Sequence, residues 1–164
     1  MVQDTNFVIT QRVFSMLSGI LFGALLGVGF LVTPTLFNVL DDKQVAGMIA
    51  GEIFKNTSFF SLVVSVFLLI YANLLVKREL KHYRRIRWLL LSCICITLLG
   101  TFVVQPMMTE LREFALSQGV PVMQSPQAKS FGRLHQLSSA LFTIEVLIYA
   151  LIFWTSTKFS QRDG

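Results

Sequence analysis

An all-α bundle of four membrane-spanning helices, with short amphipathic helices in two of its loops, is the fold the sequence predicts. Three observations predict it. Four apolar stretches, residues 13–32, 58–76, 86–104 and 136–154, each have the length of a bilayer crossing. Nearly all the charge lies between them, and the composition is 54% hydrophobic and 14% charged with a mean hydropathy of +0.66. At about 1.5 Å rise per residue, some 20 residues cross the roughly 30 Å hydrocarbon core. Backbone groups in lipid must be satisfied within their own segment, so each stretch is a helix. One integral membrane domain, residues 1–164, then uses the whole chain.

The first stretch is too long for a cleaved signal core and runs into Thr33-Pro34-Thr35, so it reads as a retained anchor. Along it Ser15, Gly19, Gly23 and Gly27 fall every four residues. In lipid such a stripe of small residues lets backbones approach closely, either within the bundle or across a homodimer seam. The connection to the second stretch carries Val45, Met48, Ile49 and Ile53 at helical spacing, which predicts a short amphipathic helix.

The hairpin between the second and third stretches is tight and basic, holding Lys77, Arg78, Lys81, Arg84, Arg85 and Arg87. Adding Arg12, Lys158 and Arg162 makes this side of the membrane strongly positive, whereas Lys43, Lys55, Arg112, Lys129 and Arg133 on the other side are matched by acids. That asymmetry predicts cytoplasmic N- and C-termini, and the basic loop also attracts anionic lipid. It accounts for the net charge of +5 without nucleic acid as a partner. Cys93 and Cys95 lie about 200° apart around the third helix, so they neither bridge nor share a metal. In the following loop Met107, Met108, Leu111 and Phe114 again have helical spacing, ended by Gly119 and Pro121. Ser125 followed by Pro126 reads as the start of the fourth helix. No convincing sequence repeat relates the two halves.

On the fourth helix Phe131, His135, Ser138, Phe142, Glu145 and Tyr149 share an arc about 80° wide. Glu145 falls near mid-membrane, where a charged carboxylate is costly, so it is expected to face the bundle interior. Antiparallel spans put Gly23, Ser65, Thr97 and Glu145 at similar depth, and Cys93, Thr97, Thr101 and Gln105 form a four-residue stripe on the third span. The polar seam continues through Ser61. Two functions fit: a proton- or cation-handling site centred on Glu145, Thr97, Ser65 and Thr101 that opens outward past Gln105, His135 and Ser138, or a buried acid that only ties helices together.

Copper on His135 with Met107, Met108 and Met123 lacks a tight ligand spacing, and haem between His135 and His82 would need both sides of the membrane. No metal or cofactor is expected. No phosphate loop, zinc-protease helix or nucleophile elbow is present, and an enzyme therefore lacks its constellation.

Three blocks together resemble a known group: the glycine-rich first span ending in Pro34 with Leu36-Phe37, the segment from Ala46-Gly47 to Ile53-Phe54, and residues 131–138 with Leu134-His135. The chain resembles the four-span transmembrane protein 205-like proteins, which include a bacterial domain of unknown function. The resemblance covers nearly the whole chain and implies a bacterial inner-membrane location. It also implies an outer cluster of Pro34, Phe37, Gly47, Phe54, His135 and Ser138. Phe142 stands where that group often has a polar residue, and Lys55 where it commonly has proline. The expectation is a non-enzymatic small-solute or ion transport or transport-accessory protein; the alternative is a structural scaffold that binds a protein partner.

Overall fold

The computed structural model describes residues 5–77 and 83–160, with side chains from 9 to 77 and 83 to 157. Arg78, Lys81, His82 and Arg162, and the side chain of Lys158, lie outside the described residues. The described residues are helical except for the turns at 40–42, 118–121 and 125–127, without a strand. The order is α1 (Thr5–Gly27), a π-helical turn (Val28–Val32), α2 (Thr33–Val39), α3 (Lys43–Lys77), α4 (Tyr83–Leu99), a second π-helical turn (Gly100–Val104), α5 (Gln105–Ser117), a 3-10 turn (Val122–Gln124) and α6 (Ala128–Ser160). Four continuous helical rods result, each long and apolar enough to cross a membrane: Ile9–Val39, Lys43–Lys77, Tyr83–Ser117 and Ala128–Thr157.

The amphipathic segments expected in the loops are present but continuous with the spans. Residues 45–53 are the first turns of α3, and α5 extends α4 through a π turn. A rod of 35 residues is about 50 Å long, so it stands well clear of a 30 Å hydrocarbon core. Asp42 starts α3, its Oδ1 accepting the N–H groups of Gln44 and Val45 at 2.8 and 3.2 Å. At the end of α5 Gly119 takes a positive φ of 74°, and the chain turns back to the 3-10 turn. Ser125 accepts the Gln127 N–H at 3.2 Å, and α6 begins at Ala128.

Both π turns have one local cause. Pro34 and Pro106 lie just beyond them, and a proline ring clashes with the carbonyl four residues earlier in a regular helix. An extra residue widens the turn, with the Thr33 N–H bonding to the Val28 carbonyl and the Gln105 N–H to that of Gly100. The Thr33 hydroxyl adds a bond to the same Val28 carbonyl at 2.9 Å.

The rods form a ring in which α1 packs on α3, α3 on α4, α4 on α6 and α6 on α1, the last-named helix pair and α3 with α4 being the broad interfaces. This is an up-down-up-down bundle. It is also a repeat. Each half consists of a helix, a π turn, a short proline-started helix and a second long helix. Buried positions of α1 and α4 match at one constant interval: Gln11 with Tyr83, Phe14 with Ile86, Ser18 with Leu90, Leu21 with Cys93 and Leu25 with Thr97. Those of α3 and α6 match likewise: Ser61 with Glu145, Ser65 with Tyr149, Leu68 with Ile152 and Ala72 with Ser156. The arrangement is that of parallel repeats about an axis along the bundle.

The apolar core fills one end. Phe14, Leu21, Leu68, Leu75, Tyr83, Ile86, Leu90, Cys93, Tyr149 and Ile152 close the half that carries the termini, where Phe14 meets Tyr83 edge to face at 5.2 Å. The half capped by α2, α5 and the 3-10 turn is hollow.

Candidate functional site

Where the solid half ends, Glu145 of α6 points across the bundle. Its Oε1 accepts the Ser61 hydroxyl of α3 at 2.9 Å and the Thr97 hydroxyl of α4 at 2.8 Å, and the residue is only 5% exposed. Both donors converge on Oε1, leaving Oε2 without a hydrogen bond from the described residues. One turn further into the core the Ser65 hydroxyl meets the Tyr149 hydroxyl at 2.5 Å and also donates to the Ser61 carbonyl. Ser65 thus supports the site from below instead of touching the carboxylate. The α3 and α6 rods, diagonal in the ring, meet through these side chains on the repeat axis, where one half supplies Ser61 and the other Glu145.

Glu145 and Thr97 are the floor of a cavity of about 830 Å³ that rises through the hollow half. Its walls are largely apolar, with Phe37, Phe54, Met108, Leu141 and Phe142 among the lining residues. Polar groups are set among them, namely Gln105, Ser138, His135, Gln124 and Arg112. Phe54 meets Phe142 edge to face at 5.0 Å, and a Cβ at Gly29 would lie 2.5 Å from the Phe142 ring, so the glycine makes room for this wall. At the mouth the Arg112 guanidinium lies 5.7 Å over the Phe131 ring, which stacks with His135 at 6.4 Å and 5°.

The predicted site residues separate clearly. Glu145, Thr97, Gln105, His135 and Ser138 line one cavity. Thr101 does not. Gly100, three residues after Thr97, borders the cavity instead, and the π turn carries the lining on from there to Gln105. Of the small-residue stripe, Gly19 packs under Phe153, the position of a Cβ lying 2.8 Å from that ring. Gly23 and Gly27 have nothing within 4 Å of a Cβ, and the buried Ser15 hydroxyl finds no partner among the described residues. Within the chain, close packing therefore explains Gly19 and not the rest of the stripe. Cys93 is buried and Cys95 exposed, as their spacing predicts, and neither forms a disulfide. Met108 and Met123 reach the cavity beside His135, whereas Met107 faces a shallow surface depression on the other side of α5.

Arg112 was legible only as a loop charge; its signal was its place one turn after Met108, on the inward face of α5. Gly29 had no signal beyond its residue type, whereas Phe54 stands in the cluster that the family resemblance implies.

Fold and site together define an integral membrane protein of four helices, solid at one end and hollow at the other. The chain belongs to the family of the domain of unknown function DUF4149, whose model matches residues 16–115, from α1 through most of α5. The match stops short of α6. No curated protein and no solved structure matches the chain.

Proposed function

We propose that this protein binds a small solute or ion in its one-ended cavity, as a non-enzymatic transport or transport-accessory protein, with Glu145 as the polar centre. The observation that carries the reading is the position of Glu145. A buried acid that served only to tie helices would be enclosed by its partners, but this one, together with its donor Thr97, borders the cavity. Ser61 and Thr97 stabilise Oε1 and leave Oε2 for a proton or cation. The packed core beneath prevents passage in this conformation, as a carrier with alternating access requires, and the parallel repeats provide two halves that can rock against each other.

The orientation that goes with this reading puts the basic hairpin and both termini in the cytoplasm of a bacterial cell and the cavity mouth outside the inner membrane, on the strength of the charge asymmetry. Kinship with the transmembrane protein 205-like proteins belongs to the same proposal. Its support is that Phe37, Gly47, Phe54, His135 and Ser138, drawn from separate blocks of sequence, line one cavity.

The test is flux. In proteoliposomes under a pH gradient, Glu145→Gln is expected to insert and unfold like the natural chain and to lose proton-linked solute flux at least tenfold. Full flux in that variant would remove Glu145 from the mechanism.

A further inference from the structure

The cavity that brings solvent to Glu145 also holds a second charged group near its mouth, and the inference drawn from it rests on the cavity being a ligand site. Arg112 is half-buried in the wall, yet the one ion pair among the described residues is that of Lys55 with Glu52 on the surface. The guanidinium carbon lies 5.7 Å from the centre of the Phe131 ring, and Nη1 is 3.9 Å from the position of a Cβ at Gly51, ordinary contact range. No acid among the described residues pairs with the guanidinium, which leaves the edge with its N–H donors to a ligand. Other charges in the lining are already engaged or distant. Asp42 caps α3, the Lys43 ammonium donates to the Phe37 and Leu40 carbonyls, and Asp41 sits exposed at the rim. Glu145 is about 20 Å further along α6 than Phe131 at helical rise.

We propose that the cavity takes an anionic amphiphile, a carboxylate or phosphate headgroup on a single acyl chain, with the headgroup on the Arg112 edge and the chain laid along Phe37, Phe54 and Phe142. The planar donor fork fits carboxylate and phosphate oxygens side by side. A bare anion would gain nothing from the walls below, whereas each methylene of a chain buries apolar surface there. The available depth of about 20 Å exceeds the roughly 15 Å of acyl chain in one leaflet. Phe30 gives the chain a way in from the bilayer. It lines the cavity and is 57% exposed, and Phe102, its counterpart in the other half, is 58% exposed without touching the cavity. Phe30 thus borders both the cavity and the lipid-facing surface.

The experiment uses the full chain in nanodiscs of zwitterionic lipid, with oleate, 1-oleoyl lysophosphatidate and uncharged oleyl alcohol as probes. Binding is read by thermal unfolding and by one-to-one adducts in native mass spectrometry. Oleate or lysophosphatidate is expected to bind and raise the unfolding temperature, and oleyl alcohol to bind at least tenfold more weakly. Preference between the two anions assigns the source to a free fatty acid or a phospholipid-derived headgroup. Arg112→Gln is expected to weaken the preferred anion about tenfold and leave oleyl alcohol unchanged, with Arg112→Lys recovering part of the loss. Equal binding of oleate, lysophosphatidate and oleyl alcohol by the natural chain overturns the proposal, and that comparison decides even if Arg112→Gln does not fold. Equal anion affinity in natural and Arg112→Gln chains overturns it as well. If Glu145→Gln still abolishes flux in that case, the anionic ligand falls and the proposed function stands; if Arg112 governs binding while Glu145→Gln keeps full flux, the reverse holds.

Discussion

Glu145, its Oε1 held by Ser61 and Thr97, lies at the floor of the cavity, and helical spacing was enough to place it on the inward face of α6. Phe131, His135, Ser138, Phe142 and Glu145 share an arc in the sequence and line one cavity in the structure, because α6 is regular along its whole length. Distances across the bundle were harder to read. Ser65 was expected beside the carboxylate and lies one turn below it, since the axial offset between two spans depends on loops that the spacing of either helix does not describe. Gly29 is the residue whose importance only the packing reveals. Adding a methyl there drives into the Phe142 ring, which is itself wedged against Phe54. Gly29→Ala is expected to destabilise the protein by about 1–3 kcal/mol, an overpacking penalty, while Gly23→Ala, with open space around it, is expected to stay within about 0.5 kcal/mol of the natural chain. Thermal unfolding in one detergent compares them; equal unfolding temperatures would contradict the tight Gly29–Phe142 contact.

At the scale of elements, the four apolar crossings were legible because the bilayer imposes a length and a hydropathy that few other structures share. Continuity was not. The composition shift near Ser58 looked like a helix boundary, yet α3 runs through it from Lys43, since a change from amphipathic to apolar marks where lipid begins and not where hydrogen bonding stops. The π turns were equally hidden. A proline one residue into a helix is compatible with a fresh start or a widened turn, and only the latter keeps Tyr83–Ser117 continuous. This shift of register has a direct consequence. In a chain whose Cys93 and Cys95 are replaced by alanine, Gly100→Cys is expected to react with a small hydrophilic thiosulfonate several-fold faster than Thr101→Cys, because Gly100 borders the cavity and Thr101 does not. A faster Thr101→Cys would restore the four-residue stripe and contradict Gly100 as the residue of this wall.

The whole molecule is two similar halves that have diverged in chemistry while keeping their burial pattern. Gln11 matches Tyr83, Leu21 matches Cys93 and Leu25 matches Thr97, so each pair shares an environment and hardly a property. That is why the repeat escaped the sequence, where similarity is judged by residue type. Divergence also made the site: Ser61 and Glu145 occupy equivalent places on the axis, and Thr97 adds a donor where its counterpart Leu25 has none. One half-molecule of packed side chains below and one open half above then give Glu145 access from a single end. Cysteine scanning along α6 tests this most directly. In sealed vesicles, with the native cysteines replaced, Ser138→Cys and Phe142→Cys are expected to react with a membrane-impermeant thiol reagent applied on the side of the α2–α5 cap, and Ile152→Cys and Ser156→Cys to stay unreactive from either side. Reaction at Ile152→Cys or Ser156→Cys as fast as at Ser138→Cys, or silence at both upper positions, would contradict a cavity that opens at one end and stops at Glu145.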